Sequence, residues 1–156
     1  MSLLTVHVVL SLIGIVSGLV VFYGLLTAKV LHGWTALFLV TTILTSVSGF
    51  PLAPFGFDPP RAIGVISLVL LAVAVLALYV FKLAGWWRWI YVITALAALW
   101  FNVFVVIIQS FSKIPKLHAI APGLSDPPFV ATELVVLAIF VVLGILALIR
   151  FHPHTT

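Results

Sequence analysis

Long runs of apolar residues, separated by short polar segments, dominate the pattern of the chain. Five of these runs reach or approach the length of about 20 residues that a helix needs to cross the hydrocarbon core of a bilayer. They cover residues 3–28, 34–50, 62–81, 89–111 and 130–149. The pattern therefore predicts an all-α fold: a polytopic membrane bundle of five transmembrane helices, forming one integral membrane domain over residues 1–156.

The second of the five runs fits a transmembrane helix least well. It is 17 residues long, from 34 to 50, and its Thr and Ser residues lower its hydropathy. The apolar stretch continues over residues 51–55, where two prolines oppose a regular helix. A re-entrant segment is therefore the alternative to a complete crossing.

Composition supports a membrane protein and excludes other classes. Hydrophobic residues make up 65% of the chain and charged residues 6%, and the mean hydropathy is +1.43. A soluble domain is about a quarter charged, and a disordered chain combines low hydrophobicity with high charge. The chain has seven Lys or Arg, three Asp or Glu and no Cys. The basic residues are too few and too scattered for nucleic-acid binding, and disulfides and thiolate sites are excluded.

The first run has the position of a secretory signal peptide but not its pattern. No basic segment precedes it, and no clear small-residue cleavage site follows it. It is also longer than the apolar region of a typical signal peptide. We expect it to remain in the protein as the first helix.

Five crossings would place the two termini on opposite sides of the membrane. We call the side of the N-terminus the N-terminal face and the opposite side the C-terminal face. The basic residues beside the spans divide into four on the C-terminal face (Lys29, Lys82, Arg88 and Arg150) and three on the N-terminal face (Arg61, Lys113 and Lys116). Because Lys and Arg favour the cytoplasmic side, this majority predicts that the N-terminus lies outside. The overall composition is typical of a small bacterial inner membrane protein.

The tripeptide Asp-Pro-Pro occurs twice, beginning at Asp58 and at Asp126, each time before a predicted span. In each copy a basic residue follows 24 positions after the Asp, Lys82 in the first and Arg150 in the second. Asp is a favourable N-cap and Pro is tolerated in the first helical turn, so helix initiation explains both motifs. The alternative is that spans two–three and four–five are parallel copies of one hairpin.

Polar side chains inside a bilayer are costly, so each needs a partner or a function. In the first span, His7, Ser11, Gly14 and Gly18 share one helical face. This face predicts a seam at which a neighbouring helix packs closely. The Thr and Ser residues of the second span either bond to carbonyls of their own helix or line a polar conduit.

The fourth and fifth spans carry the remaining polar residues. Asn102 and Gln109 lie seven residues apart on one face, and they predict either hydrogen bonds between helices or contact with a ligand. Glu133 is the one acid inside a span. Its structural roles would be an ion pair with Lys113 or Lys116, or a favourable position near the positive end of its helix. Its functional role would be proton or ion coupling.

The five-span topology gathers the ionisable residues on the N-terminal face, where we predict a polar vestibule. The vestibule would be lined by Asp58, Arg61, Lys113, His118 and Asp126. The candidate ligand-binding residues beneath it are His7, Asn102, Gln109 and Glu133.

Known cofactor and enzyme signatures add little. A haem with two His ligands needs both at similar depth on facing helices, and only His7 lies inside a span. A divalent metal held by His7, His118, Glu133 and an Asp is chemically reasonable, but no ligand pair has a diagnostic spacing. The sequence has no phosphate loop, nucleophile elbow or zinc-protease motif. We therefore predict no cofactor, assign no catalytic residue and favour a protein that is not an enzyme.

Two functions follow from the sequence. The first is a small membrane protein that binds or transports a small molecule or ion through the N-terminal vestibule. The second is a non-catalytic accessory or structural subunit of a larger membrane complex. Besides the lipid bilayer, the expected partners are other membrane chains or further copies of this one.

Overall fold

A computed structural model gives the structure of residues 1–52, 56 and 58–153, of which 81% are helical and none lies in a strand. The helices are α1 (Leu3–Leu26), α2 (His32–Gly49), α3 (Pro59–Val75), α4 (Trp87–Lys113), α5 (Pro115–Ile120) and α6 (Pro127–Arg150). A π-helical turn, Leu76–Val80, extends α3. The predicted all-α fold is confirmed.

Four helices in the described part of the chain are long and apolar enough to cross a membrane. They are α1, α3 together with its π-helical turn, α4 and α6. The second predicted span corresponds to α2, which has 18 residues, but six of them are Ser or Thr and lower its hydropathy. The protein is therefore an integral membrane helix bundle, in which α2 stands apart by composition.

The two Asp-Pro-Pro motifs begin their helices in different ways. The Asp58 side chain accepts a hydrogen bond from Arg61 N (3.1 Å) and caps α3, as predicted. Asp126 occupies the same position before α6, but its carboxylate makes no capping bond and instead accepts from Gly123 N (2.6 Å). Side-chain capping is thus confirmed for Asp58 and wrong for Asp126, because the preceding turn supplies a nearer donor.

The predicted loop between the fourth and fifth spans contains the short helix α5, which the apolar pattern did not indicate. Pro115 stands in its first turn, where a missing N–H costs nothing. The segment then folds against the bundle, since Ala121 is buried with Phe111 of α4 and Phe129 of α6. This small apolar cluster closes the N-terminal face beside α6.

The long helices that follow one another in the chain run antiparallel, whereas α1 and α6, which also pack together, run in the same direction. α4 packs against α1, α3 and α6. Phe111 faces Phe129 at one end of the α4–α6 pair (5.5 Å between ring centroids), and Tyr91 faces Phe151 at the other (6.0 Å). α2 packs between α1 and α3. The starts of α1, α3 and α6 therefore lie at the N-terminal face with the ends of α2 and α4.

The main apolar core lies entirely in the half of the bundle nearer the C-terminal face, which we call the C-terminal half. Each helix contributes from that half, with Leu25, Phe38, Leu71, Leu99 and Phe151 among the most buried side chains. The N-terminal half instead holds six of the nine buried polar residues found in the described chain: Ser11, Thr41, Thr42, Thr45, Ser67 and Glu133. The bundle is thus apolar at one end and polar at the other.

Candidate functional site

The predicted seam on α1 packs against α2, and against α4 deeper in the bundle. A Cβ atom placed on Gly18 would lie 2.5 Å from Leu99 Cδ1 and 3.0 Å from Phe38 Cδ2, so the missing side chain permits the contact. Nearer the N-terminal face, His7 Nδ1 lies 3.0 Å from Ser48 Oγ. The predicted packing face of α1 is therefore confirmed.

The imidazole of His7 is oriented by this contact. The Ser48 hydroxyl lies within hydrogen-bond distance of both His7 Nδ1 (3.0 Å) and Thr45 O (3.1 Å), and the tautomer of the His7 ring decides which group donates in the first contact. His7 is half-buried, and its ring lies against Gly49, whose Cβ would stand 3.3 Å from His7 Cε1.

A polar junction joins three helices at the middle of the bundle. Asn102 Nδ2 on α4 donates to Thr42 Oγ1 on α2 (3.4 Å). A Cβ on Gly14 of α1 would lie 3.0 Å from that Thr42 oxygen and 3.3 Å from Asn102 Nδ2. This position of Asn102 confirms the expected bond between helices. The same face does not pack as far as Gln109, which is exposed, so the packing prediction is wrong there.

Most hydroxyl groups of α2 satisfy themselves within the helix. Thr41 donates to Leu37 O (2.7 Å), Thr45 to Thr41 O (2.8 Å) and Ser46 to Thr42 O (3.0 Å). This is the bonding that lets Ser and Thr sit in an apolar environment. The intrahelical interpretation of these residues is confirmed.

Two side chains of the described residues are exceptions, because the buried atoms Trp100 Nε1 and both carboxylate oxygens of Glu133 have no hydrogen-bond partner. Glu133 is 8% exposed. The expected ion pair with Lys113 or Lys116 is wrong, since both lysines are exposed and the described residues contain one ion pair, between Arg61 and Asp58.

Glu133 also lies deeper than predicted. α6 begins at Pro127, so Glu133 is six residues from the helix start, about 9 Å along the axis at 1.5 Å per residue. One turn before it stands Phe129, which packs with Phe111, Ile107 and Ile108. The turn of α6 that precedes Glu133 is therefore packed in an apolar cluster.

Helix register places three candidate ligand-binding residues at one depth. Gly14 faces Asn102 across the antiparallel α1–α4 contact, so His7, seven residues earlier, is level with Gln109. The Phe111–Phe129 pair similarly sets Glu133 within a few residues of the same level. Asn102 lies seven residues farther in, about 10 Å. His7 and Asn102 are bonded to α2, which leaves Glu133 without a described partner.

Of the five predicted vestibule residues, Asp58 and Arg61 form an ion pair. Arg61 joins the end of α2 to the start of α3: its guanidinium donates to Asp58 Oδ2 (2.8 Å), Gly56 O (2.9 Å), Phe50 O (3.3 Å) and Leu52 O. Asp58 and Arg61 thus hold a turn together.

The other three predicted vestibule residues, Lys113, His118 and Asp126, lie on the α5 side. Lys113 and His118 are exposed, and Asp126 bonds to Gly123. Among the described residues, no three His, Asp or Glu side chains meet as a metal site.

Two shallow cavities open at the opposite, C-terminal face. One, of about 240 Å³, is lined by Gly85, Trp86, Arg88 and Trp89. The other, of about 360 Å³, is lined by Leu83, Gly85, Arg88, His152 and Pro153. The apolar pattern did not predict these cavities. Their sequence signal is the run Gly85-Trp86-Trp87-Arg88-Trp89 between two spans.

Comparison with known proteins gives no guide to this site. No family model, curated protein or solved structure matches the chain.

Proposed function

We propose that the protein binds a small cation at Glu133, in the N-terminal half of a five-span bundle, as a membrane binding or transport protein. The observation that carries this proposal is the Glu133 carboxylate, which is buried with no described partner for either oxygen. The polar N-terminal half is then the functional end of the bundle, and Glu133 is its central residue.

The energetics of burial favour a cationic ligand. An ionised carboxylate that is removed from water without a partner is strongly destabilising, and inside a membrane such a residue marks an ion or substrate pathway by default. A ligand that supplies positive charge or N–H donors offsets this cost. The other buried polar groups of the N-terminal half would gain less from such a ligand, because most of them already have hydrogen bonds within or between helices.

The surroundings of Glu133 offer a route for such a ligand. Gln109 is exposed at about the same depth and supplies both a donor and an acceptor. His7, at the same level, is half-buried. We propose that these two side chains offer polar contacts, at the level of Glu133, to a ligand that comes from the N-terminal face.

The proposed topology counts α2 as the fifth span. α2 runs beside α1 from Leu31, which contacts Gly24, to Gly49, which contacts His7. The 17 residues of α1 between these contacts span about 25 Å, close to the roughly 30 Å hydrocarbon core. The basic-residue count supports the N-terminus outside in a bacterial inner membrane. A parallel repeat of two hairpins rests on motif spacing alone.

Ligand-dependent stability tests the proposal directly. In mild detergent, we expect one of Na⁺, K⁺, Mg²⁺ or tetramethylammonium, compared at equal ionic strength, to raise the unfolding temperature, because binding to the folded state stabilises it. Glu133→Gln should abolish the rise. The matched control is Thr132→Val, next to Glu133, since the Thr132 hydroxyl donates to Pro128 O (2.8 Å) within α6. An equal rise in Glu133→Gln, or none in the wild type, contradicts the proposal.

A second function, as an accessory subunit of a larger complex, is favoured by the exposure of α6. Only 11% of the most apolar 18-residue segment of α6 is buried in the bundle. Most of this helix is therefore free to face lipid or another membrane chain. Native gels after gentle solubilisation should then show a discrete assembly that contains other polypeptides. A stable lone monomer counts against this function.

A further inference from the structure

Arg88 lies at the C-terminal face, in the first turn of α4. It is half-buried, and it lines both of the shallow cavities described above, together with Gly85. Gly85 has a positive φ of 53° and no atom within 4 Å of the position its Cβ would take. The backbone at Gly85 therefore leaves the space between the cavities open beside the guanidinium.

The charge around Arg88 is of one sign. Lys29, Lys82 and Arg150 lie on the same face, whereas the three acidic side chains of the chain all lie toward the opposite face. Within the described residues, the Arg88 guanidinium has no ion pair, and its aromatic contact is with the Trp89 ring, 5.9 Å from the centroid. A planar guanidinium with unused donors is suited to bidentate binding of phosphate.

Aromatic side chains set the depth of this group. Trp86 is 78% exposed and packs edge-on against Trp89, with 5.7 Å between centroids, while Phe81 stacks on Trp87 at 3.9 Å. Exposed Trp residues are enriched where the headgroups meet the hydrocarbon. Arg88 is therefore held at the level of lipid phosphates.

The end of α3 supplies an apolar surface next to the cavities. Tyr79, Val80 and Phe81 are each at least 40% exposed, and the turn at residues 82–86 connects them directly to Arg88. A phosphate in the cavity that belonged to a lipid would have its acyl chains along this surface. A free phosphate ion would leave the surface uncovered.

From this arrangement we infer that the paired cavity at Arg88 binds one anionic phospholipid, with the phosphate on the guanidinium and the acyl chains against the end of α3. His152, which lines one of the two cavities, adds a ring nitrogen that can bond to the headgroup, and Lys82 adds positive charge on the same face. This site is separate from Glu133 and does not depend on the function proposed there.

Native mass spectrometry of the full chain in mild detergent tests the inference. Phosphatidylglycerol and phosphatidylcholine with identical acyl chains are titrated against the wild type, Arg88→Gln, Arg88→Lys and Arg150→Gln. Arg150 is the matched control, because it is an exposed cation on the same face that lines neither cavity.

We expect one phosphatidylglycerol to bind the wild type in preference to phosphatidylcholine. Arg88→Gln should weaken this binding about tenfold, the effect of losing one strong charge-assisted hydrogen-bond pair, and Arg88→Lys should fall between the two. Arg150→Gln should change the affinity by less than about twofold, as for a screened surface charge. Unchanged unfolding temperatures would show that the variants remain folded.

Three results would overturn the inference. Equal losses in Arg88→Gln and Arg150→Gln would show diffuse attraction to the whole face. Equal binding of the two lipids would remove the role of the negative headgroup. Displacement of phosphatidylglycerol by millimolar inorganic phosphate would show a site for free anions in place of a lipid site.

Discussion

The two halves of α4 are both apolar in sequence, yet they pack differently. The first half of α4 lies in the C-terminal half of the bundle. There Ala95 and Ala98 are almost completely buried, because small residues let α1, α3 and α6 approach closely. From residue 100 to residue 110 every position is half-buried or exposed. There Trp100 packs against Phe101 and Phe104 of its own helix, at 5.0 and 5.4 Å.

This difference shows what determines packing inside a membrane. Lipid tails are as apolar as Leu or Val side chains, so hydropathy gives no preference for the core over the lipid. Close packing follows from small residues, and polar residues need partners. The C-terminal half has the small residues and acts as the scaffold, whereas the N-terminal half has the polar residues and the candidate site.

The largest expected effect comes from filling the closest contact of the scaffold. Gly18→Leu should destabilise the protein by about 3 kcal/mol or more, since its Cβ alone would stand 2.5 Å from Leu99 Cδ1. The free energy of unfolding can be measured by titration with a denaturing detergent. Gly33→Leu is the control, because no atom lies within 4 Å of the Gly33 Cβ position, and a similar loss there would contradict this explanation.

Matched truncations in α4 compare the halves directly. Leu99→Ala, at a position that is 1% exposed, should cost about 2–3 kcal/mol through lost packing. Ile107→Ala, at a half-buried position, should cost less than about 1 kcal/mol, because lipid replaces part of the lost contact. Equal costs in the same unfolding assay would mean that the two halves are equally well packed.

Glu133 should respond in the opposite direction from the scaffold. Glu133→Leu removes a buried carboxylate without a described partner, and we expect it to stabilise the ligand-free protein by about 1–2 kcal/mol. Detergent-induced unfolding without added cation measures this gain. Destabilisation would show that the carboxylate has a stabilising partner in the protein.

The smallest effect is expected at the polar junction. Asn102→Leu removes the bond to Thr42 (3.4 Å) and should cost about 0.6 kcal/mol, the average for hydrogen bonds between membrane helices. Thr42→Val removes the acceptor of the same bond, so a double-mutant cycle of Asn102→Leu and Thr42→Val isolates the contact. A loss above about 2 kcal/mol would mark the junction as part of the scaffold.

The sequence predicts some of this arrangement and misses the rest for physical reasons. The face formed by His7, Gly14 and Gly18 was predictable, because residues four or seven positions apart share one side of a helix. The difference between Asp58 and Asp126 was not, although both begin Asp-Pro-Pro. The residue three positions later is Arg61 in one copy, which binds back to Asp58, and Phe129 in the other, which packs on Phe111.

The missing partner of Glu133 was hidden for another reason. Lys113 ends α4 and Lys116 lies on α5, and both side chains are exposed, whereas Glu133 is buried on α6. A six-residue helix such as α5 leaves only a weak signal in sequence. The difference in packing between the two halves of α4 was not predictable either, because hydropathy is similar along the whole helix. Its packing depends on where Ala gives way to Trp and Phe.

The self-bonded hydroxyls of α2 also bear on how the protein is made. In the proposed topology, a segment with six Ser or Thr residues partitions weakly into lipid by itself during synthesis. α1 leaves the ribosome first and presents the glycine face on which α2 packs. Insertion of α2 thus depends on a helix that is already in the membrane. A defect in the α1 face would therefore appear in the cell as failed membrane insertion of α2 before it appeared as a loss of stability.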